Sequence, residues 1–274
     1  MAVNNTLQKK KATFTTYLSK DLVRKQINNV VGGKDGQRFI SAVVSAVNAN
    51  TELQECSNQS ILSCALLGEG LKLSPSPQLG HYYMVPFDDK KRGKVAQFIL
   101  GYKGYIQLAI RSGQYKRINV LAIKEGELIN FDPLTEDIEV NFIIDDRERE
   151  AAPTIGYYAF FEYINGFRKA IYWSREKMKL HAETYSKGYR KKTGYSFWER
   201  DFDSMAYKTM LRQLISKWGI MSVDMQQAHI FDGAAVEDGE PVYVESVAEE
   251  SQPKKESELQ ETRAADAAAV LFDS

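Results

Sequence analysis

Residues 94–117 read KVAQFILGYKGYIQLAIRSGQYKR, and this stretch organises the predicted fold. A strand is predicted over Val95–Leu100, and a short helix follows it and ends near Arg111. Lys103, Gln107 and Arg111 recur every four residues, so they share one face of that helix. A partly cationic face suits binding to a phosphate backbone, but a solvated amphipathic helix has the same pattern.

The segments on either side of this helix predict antiparallel strands. His81–Phe87 has strand character, and a charged turn at 88–93 returns the chain into Val95–Leu100, which makes a β-hairpin. Asn165-Gly166 separates two runs rich in aromatic residues and predicts a second hairpin with a type I′ turn. Residues 145–150 are predicted to form an acidic loop.

Helical periodicity predicts most of the remaining structure. Ser57 is a candidate N-cap for a helix that ends near residue 70. The predicted helices cover residues 14–31, 36–50, 58–70, 174–185, 203–218 and 222–231. The sequence therefore predicts an α+β fold with an N-terminal helical lobe and a mainly antiparallel β-sheet covered by packing helices.

Composition divides the chain into four predicted parts. We expect a flexible N-terminus at 1–12, a helical lobe with oligomer contacts at 13–70, an α+β binding core at 71–231 and a disordered acidic tail at 232–274. From Phe231 onward there are 12 acidic and 3 basic residues, so the remainder has 33 basic and 24 acidic ones. This asymmetry is typical of nucleic-acid-binding proteins, although a solubilising tail on an ordinary domain also produces it.

Several catalytic and targeting classes have no basis in the sequence. There is no GxxxxGK[ST] loop for ATP hydrolysis, and the three histidines lie far apart without ligand-spaced partners. Cys56 and Cys64 form neither a disulfide framework nor a metal motif, so a reducing cytoplasm is expected. No apolar run approaches the ~18 residues that cross a bilayer. A Mg²⁺-dependent nuclease remains an alternative, with the candidate carboxylates Asp132, Asp137, Asp145, Asp146 and Glu148.

Cations and aromatic residues alternate repeatedly along the chain. They do so around the predicted helix at 102–117, at Phe167-Arg168-Lys169 and across the glycine-broken segment 185–195. Lysine and arginine neutralise phosphates whatever the base sequence, and aromatic rings stack on unpaired bases. The pattern favours nucleic-acid binding. The candidate binding residues are Tyr102, Lys103, Tyr105, Gln107, Arg111, Lys116, Arg117, Arg168, Lys169, Lys187, Arg190, Lys191, Lys208, Arg212 and Lys217.

One long segment resembles a known family. Leu79–Phe87 reads LGHYYMVPF and residues 97–114 read QFILGYKGYIQLAIRSGQ, which is similar to the signature of the RecT family of phage-type single-strand DNA annealing proteins. Residues 71–75 (LKLSP) resemble the family's LGL.P segment, with Lys72 where the family often has a glycine. The resemblance extends from about 58 to 225 and includes Trp198, Met205, Ala206, Lys208, Thr209, Lys217, Trp218 and Gly219.

The resemblance implies a binding and assembly function in place of catalysis. It implies the single-strand annealing protein fold and ATP-independent annealing of complementary strands in phage homologous recombination. Family members work as oligomeric rings or helical filaments with DNA in a basic groove, often beside a 5′→3′ exonuclease. We therefore expect single-stranded DNA, nascent duplex, other copies of this chain, an exonuclease and a host single-strand binding protein as partners. No cofactor is expected to be required, and Mg²⁺ is a candidate modulator of annealing. A phage or prophage origin and the bacterial host cytoplasm follow from the same resemblance, with no membrane association. A general single-strand nucleic-acid chaperone is the main alternative.

Overall fold

The computed structural model describes residues 13–32, 35–192, 194 and 196–242, except for the side chain of Lys187. Its helices are α1 (Phe14–Leu18), α2 (Asp21–Val31), α3 (Gly36–Ala49), α4 (Asn58–Gly70), α5 (Tyr102–Arg111), α6 (Asp146–Ala151), α7 (Arg175–Tyr185), α8 (Lys187–Lys191), α9 (Phe197–Arg200), α10 (Phe202–Trp218) and α11 (Val223–Phe231), with a 3-10 helix at Thr51–Glu55. No helix within the described ranges is long and apolar enough to cross a membrane.

The strands form three antiparallel sheets. They are β1 (Tyr82–Asp89), β2 (Gly93–Leu100), β3 (Tyr115–Lys124), β4 (Leu128–Phe131), β5 (Ile138–Val140), β6 (Thr154–Tyr163), β7 (Arg168–Ser174), β8 (Ala234–Glu237) and β9 (Glu240–Val242). The first sheet has the order β1-β2-β8-β9, the second β3-β6-β7 and the third β4-β5. The predicted α+β class with antiparallel strands is confirmed, and the predicted hairpin around residues 88–93 is β1 paired with β2.

The N-terminal helices follow the predicted pattern with one break. The single helix expected over 14–31 is two helices, because Lys20 has an extended backbone conformation (φ −67°, ψ 137°) between them. The hydroxyl of Ser19 donates to the carbonyl of Thr16 at 2.8 Å at the end of the first helix. Ser57 caps α4 as predicted, since its hydroxyl accepts the backbone N–H of Ser60 at 3.1 Å. A cap of this kind satisfies an amide that the first helical turn leaves unbonded.

The helical lobe shares its core with the first sheet. One buried cluster runs from Phe14 in α1 to Val236 in β8, and α4 packs directly on β1 and β2. The approach is close, because a Cβ on Gly68 would lie 2.3 Å from the ring of Tyr82. Near residue 70 the chain thus changes from helices to strands, while the hydrophobic core continues from the helical lobe into the first sheet.

Helix α10 lies between two cores. Leu211 and Ile215 belong to the cluster of α1–α4 and the first sheet, whereas Met210 and Leu214 belong to a second cluster beneath β3, β6 and β7. Trp198 anchors the second cluster and is fully buried. A helix that is packed on two sides has little surface left for solvent.

The chain is ordered beyond the point where the tail was predicted to begin. Strand β8 pairs with β2, and its Ala234, Ala235 and Val236 are buried. Asp238 and Gly239 have φ values of +49° and +85°, which is the conformation of a type I′ turn into β9. The start of the disordered tail at residue 232 is thus wrong. Residues 1–12 and 243–274, where the flexible N-terminus and the rest of the acidic tail were predicted, lie outside the described residues.

The hairpin at Asn165-Gly166 exists, but its turn type differs from the prediction. Only Gly166 has a positive φ, of +87°, whereas a type I′ turn needs positive φ at both central residues. The amide of Gly166 donates to the carbonyl of Tyr163 at 3.0 Å, so the turn starts one residue earlier than predicted. A three-residue connection with glycine in the left-handed conformation results.

Candidate nucleic-acid interface

Helix α5 presents the predicted polar face to solvent. Lys103, Gln107 and Arg111 are all exposed, whereas the opposite side of the helix buries Tyr105 and Leu108. We refer to Lys103, Gln107 and Arg111 as the α5 ridge. The four-residue spacing puts the three residues on one face, because residues i and i+4 lie one above the other on a helix, and the packing of α5 leaves that face exposed.

Glycines set the position of the ridge. A Cβ on Gly101 would lie 2.1 Å from the carbonyl oxygen of Gly80, and a Cβ on Gly104 would lie 2.1 Å from that of His81. No side chain fits at these distances, so the first turn of α5 can rest on the backbone that leads into β1 only because both residues are glycine. The amide of Gly101 also donates to the carbonyl of His81 at 2.9 Å.

The far end of the ridge is fixed by Arg111. Its guanidinium donates to the carbonyl of Leu71 at 2.6 Å and to that of Lys72 at 3.4 Å, just after α4 ends. These acceptors carry the negative end of the α4 dipole, which favours a cation there. The ridge is therefore attached to the N-terminal helices at one end and to the β1 approach at the other, while its cations remain exposed.

His81 lies next to these cations. The pKa of its imidazole is lowered by burial first and then by the charges of Arg111 and Lys103. Its Nδ1 accepts the backbone N–H of Ser74 at 3.3 Å, which fixes the ring. The histidine is consequently neutral near pH 7, and the positive charge of this surface comes from lysine and arginine.

The basic residues after α5 share one carboxylate. Lys116 Nζ lies 2.5 Å from Glu162, and Arg117 Nε lies 3.8 Å from the same side chain, with all three at the end of the β3–β6 pair. The hydrogen bond from Lys116, followed by the charge of both cations, lowers the pKa of Glu162. Because both cations are exposed, they stay accessible to a phosphate that competes with the carboxylate.

On β7 the two predicted cations contact aromatic groups. Arg168 donates to the Tyr158 hydroxyl at 3.1 Å and lies over the ring of Phe160. Lys169 forms an ion pair with Glu136, and its ammonium lies 4.6 Å from the centre of the Trp218 ring. This set is on the second sheet and is distinct from the α5 ridge.

Within the glycine-broken segment, Lys187–Lys191 form the short helix α8. Arg190 and Lys191 are exposed there, and Lys217 is exposed at the end of α10. The side chain of Lys187 lies outside the described part of the chain.

Lys208 and Arg212, two of the candidate binding residues on α10, are not exposed. Lys208 is only 8% exposed, and its Nζ lies 2.9 Å from Asp232 Oδ1. Arg212 lies 3.6 Å from the other oxygen of Asp232, and the amide of Leu100 also donates to this carboxylate at 2.9 Å. Burial raises the pKa of Asp232, but Lys208 and Arg212 outweigh that effect and hold it below its usual range. We refer to Lys208, Arg212 and Asp232 as the α10 charge cluster.

The two candidate stacking tyrosines also pack inward. Tyr105 is 1% exposed, and its hydroxyl lies 3.4 Å from Nδ1 of His229, so its ring is unavailable to a base in this structure. Tyr102 is half-buried and packs edge-to-face on Tyr207 with ring centres 5.5 Å apart. The buried face of α5 comprises Gly104, Tyr105, Leu108 and Ala109. It therefore includes a tyrosine that the sequence pattern had assigned to the binding surface.

Two of the acidic residues considered for a nuclease, Asp145 and Asp132, hold local structure. Asp145 caps α6 by accepting the amide of Glu148 at 2.9 Å, so the predicted acidic loop is a short helix. Asp132 accepts the amide of Leu134 at 2.8 Å in the turn between β4 and β5. In the portion of the chain that the structure describes, no three His, Cys, Asp or Glu residues are grouped so as to hold a metal ion.

Comparisons with known proteins show which family the chain belongs to. The family model described as "RecT family" matches residues 37–256, which include the α5 ridge and the α10 charge cluster. The uncharacterized protein YqaK of Bacillus subtilis (strain 168) is 41% identical over 239 residues, which is 84% of this chain and 78% of YqaK. Protein RecT of Escherichia coli (strain K12) is 30% identical over 199 residues, covering 72% of this chain and 71% of that protein. The chain therefore belongs to the RecT family, whose members are single-strand annealing proteins of recombination.

Proposed function

We propose that this chain binds single-stranded DNA and anneals complementary strands without ATP, as an oligomeric ring or helical filament with DNA in a basic groove. The observation that carries the proposal is the α5 ridge, since Lys103, Gln107 and Arg111 are exposed together inside the region that matches the family. The exposed cations Lys116 and Arg117 extend the same basic stretch along the chain.

Screening of phosphates explains how such a surface promotes annealing. Two single strands repel each other, and cations that neutralise their phosphates lower this repulsion and release counterions. Cations that contact only the backbone leave the Watson–Crick edges of the bases free. Base pairing then supplies the free energy, so neither nucleotide hydrolysis nor a cofactor is required, and Mg²⁺ acts as a modulator through the same screening.

Assembly and partners complete the proposal. Repetition of a basic surface along an oligomer multiplies its weak contacts with one strand. A 5′→3′ exonuclease would supply the single strand, and a host single-strand binding protein would deliver it, in the cytoplasm of a bacterial host. The acidic tail at 243–274 competes with DNA for the basic surface or docks such a partner. Deletion of this segment tests both roles, the first through DNA affinity and the second through partner binding.

An annealing assay with the purified full-length chain tests the function. Pairing of complementary labelled oligonucleotides, at low salt and without ATP, should be faster than in protein-free controls, with and without Mg²⁺. The double variant Lys103→Ala/Arg111→Ala should lose most of this acceleration. Arg147→Ala/Lys179→Ala removes the same charge from exposed positions on α6 and α7, outside the helical lobe where oligomer contacts are expected, and serves as its matched control.

The outcomes separate annealing from the alternatives. No acceleration by the wild-type chain would overturn the proposal. A protein that binds one strand tightly, but does not retain the product when the second strand is added, is a general single-strand chaperone. Shortening of end-labelled DNA by the pure protein would instead support nuclease activity.

A further inference from the structure

A cleft with aromatic walls lies on the second sheet, away from the α5 ridge. Its volume is about 290 Å³, near the lower end of the ~300–1,000 Å³ that is usual for small-molecule sites. Four rings, contributed by β4, β7 and the end of α10, line it together with lysines. We call it the aromatic cleft, and its main lining residues are Phe131, Tyr172, Trp173, Trp218, Lys177 and Lys217.

Trp218 is the exposed ring of this cleft. It is 40% exposed, in contrast to Trp198, which is 2% exposed in the core. The ammonium of Lys169 lies 4.6 Å from the centre of the Trp218 ring, and that of Lys177 lies 4.5 Å from the centre of the Trp173 ring. Flat π-surfaces with lysines beside them are the combination that binds a nucleobase together with its phosphate.

Glu136 lines the cleft and has a strained backbone conformation. Glu136, in the turn between β4 and β5, has a φ of +64°, a value that residues other than glycine rarely adopt. Its carboxylate accepts the amide of Ala170 in β7 at 2.9 Å and forms the ion pair with Lys169. Backbone strain that is held by such contacts occurs preferentially at ligand sites, because it fixes a wall in place before binding.

We propose that the aromatic cleft takes one unstacked nucleobase of the bound single strand, with Trp218 as the stacking ring and Lys177 and Lys217 near the adjoining phosphates. This inference rests on the proposed function, since it assumes that the chain binds single-stranded DNA. Stacking on an indole is tolerant of base identity, because every base has a π-face. A base leaves the cleft when it pairs, so the cleft holds the single strand before annealing and the annealed product is held by the cations alone.

Binding of three probes to matched variants tests the cleft. The probes are a single-stranded oligonucleotide, a strand of the same length made of abasic sites, and the corresponding duplex. Trp218→Ala should weaken binding of the single strand about 5- to 150-fold, which converts the ~1–3 kcal/mol of one base–aromatic stack. Affinity for the abasic strand and for the duplex should not change. Trp218→Phe should restore most of the affinity.

Phe142→Ala is the matched control, because Phe142 is 46% exposed and does not line the cleft. It should leave all three affinities unchanged, and circular dichroism should show that every variant is folded. Deoxynucleoside monophosphates serve as a fourth probe. If they bind the wild type as tightly as the strand does, the cleft is a free-nucleotide site and the inference is overturned.

Two further results would overturn the inference while leaving the proposed function intact. One is a Trp218→Ala variant that binds the single strand like the wild type. The other is an equal loss for the base-containing and abasic strands, which would mean that Trp218 supports the backbone path and not a base. A wild-type chain that binds no single-stranded DNA would instead remove the proposed function itself.

Discussion

Helices α5 and α10 each carry two cations on one face, eight residues apart on α5 and four apart on α10, and the fold uses them in opposite ways. Lys103 and Arg111 on α5 are exposed, whereas Lys208 on α10 is 8% exposed and paired with Asp232. The spacing guarantees only that two side chains share a face of a helix. Which face meets water is decided by what packs around the helix, and α10 has a core on two sides.

The difference is enforced by a single acid. Asp232 follows α11 and is 1% exposed, and it accepts both Lys208 and the amide of Leu100. Burial of a charged lysine removes its hydration, and without an acidic partner this costs several kcal/mol of desolvation free energy. Burial of Lys208 therefore depends on Asp232. The cations of the two helices therefore differ in role. Those of α5 are accessible to a ligand, whereas Lys208 of α10 pairs with Asp232 and so connects α10 to the end of α11 and to β2.

The first prediction compares the loss of a buried lysine on α10 with the loss of an exposed lysine on α5. Lys208→Ala leaves the Asp232 carboxylate buried without its nearest cation, and we expect a loss of about 3–5 kcal/mol in the free energy of unfolding. Lys103→Ala, the same change on the α5 ridge, should stay within about 0.5 kcal/mol of wild type. Urea unfolding of both variants measures the two values. Equal losses would show that the two helices do not differ as the structure indicates.

The second prediction concerns the pH dependence of stability that His181 on α7 produces. Burial first, and then the charge of Arg212, lowers the pKa of His181 from 6.5 to about 4. The unfolded chain therefore binds a proton between pH 6.5 and 4 that the folded chain does not, so stability is present above pH 6.5 and falls on acidification. From pH 7 to pH 5 we expect this residue to account for about 2 kcal/mol.

His181→Phe provides the test, because His181 contacts the rings of Trp173, Tyr185 and Trp198 and an aromatic replacement keeps these contacts. Urea unfolding at pH 7 and pH 5 should give a smaller difference for the variant than for the wild type. An unchanged difference would mean that His181 does not carry the pH dependence.

Local signals in the sequence predicted most of the elements. The Ser57 cap, the hairpin of β1 and β2 and the bounds of α5 depend on neighbouring residues, and all three are confirmed. Strands β8 and β9 were missed although Asp238-Gly239 is a strong hairpin dipeptide, because the acidic composition around it favoured a tail. Composition averages over the whole segment after Phe231. The short apolar run Ala234–Val236 within it is buried, and Ala234 and Ala235 pair with β2.

The site was less predictable than the fold. Burial of Lys208 and of Tyr105 depends on Asp232 and His229, which are distant in sequence and meet these residues only in the folded chain. Nothing in the local pattern separates a ridge lysine from a core lysine. The aromatic cleft was also hidden, because Trp218 and Lys169 lie on elements that are far apart along the chain.

The third prediction measures the ridge as a phosphate-binding surface. Lys103→Ala/Arg111→Ala should weaken single-strand binding roughly tenfold, or about 1.4 kcal/mol, if both cations contact phosphates. The slope of log K against log salt should fall by about 0.7 for each phosphate that is no longer neutralised. Fluorescence anisotropy over a series of salt concentrations gives both values. The variant Arg147→Ala/Lys179→Ala should keep the wild-type slope, and equal slopes for all three proteins would assign the ridge to structure alone.

The smallest effect is expected at Lys72, where the α5 ridge meets the end of α4. Lys72 has a φ of +52° in the position that follows the helix, and its amide donates to the carbonyl of Glu69 at 2.8 Å. Glycine is the residue that adopts this conformation without crowding of a Cβ, which is consistent with the glycine found there in the family's LGL.P segment. Lys72→Gly should therefore raise the free energy of unfolding by about 0.5–1 kcal/mol, after allowance for the greater freedom of glycine in the unfolded chain.

Lys72→Ala separates the backbone effect from the loss of charge. Alanine keeps the Cβ and so keeps the strain, and we expect no gain in stability from it. Both variants remove one cation beside Arg111, so their DNA affinities should fall together while their stabilities diverge. If urea unfolding shows the same stability for glycine and alanine, the positive φ of Lys72 carries no measurable cost, and the lysine is retained there without a penalty to the fold.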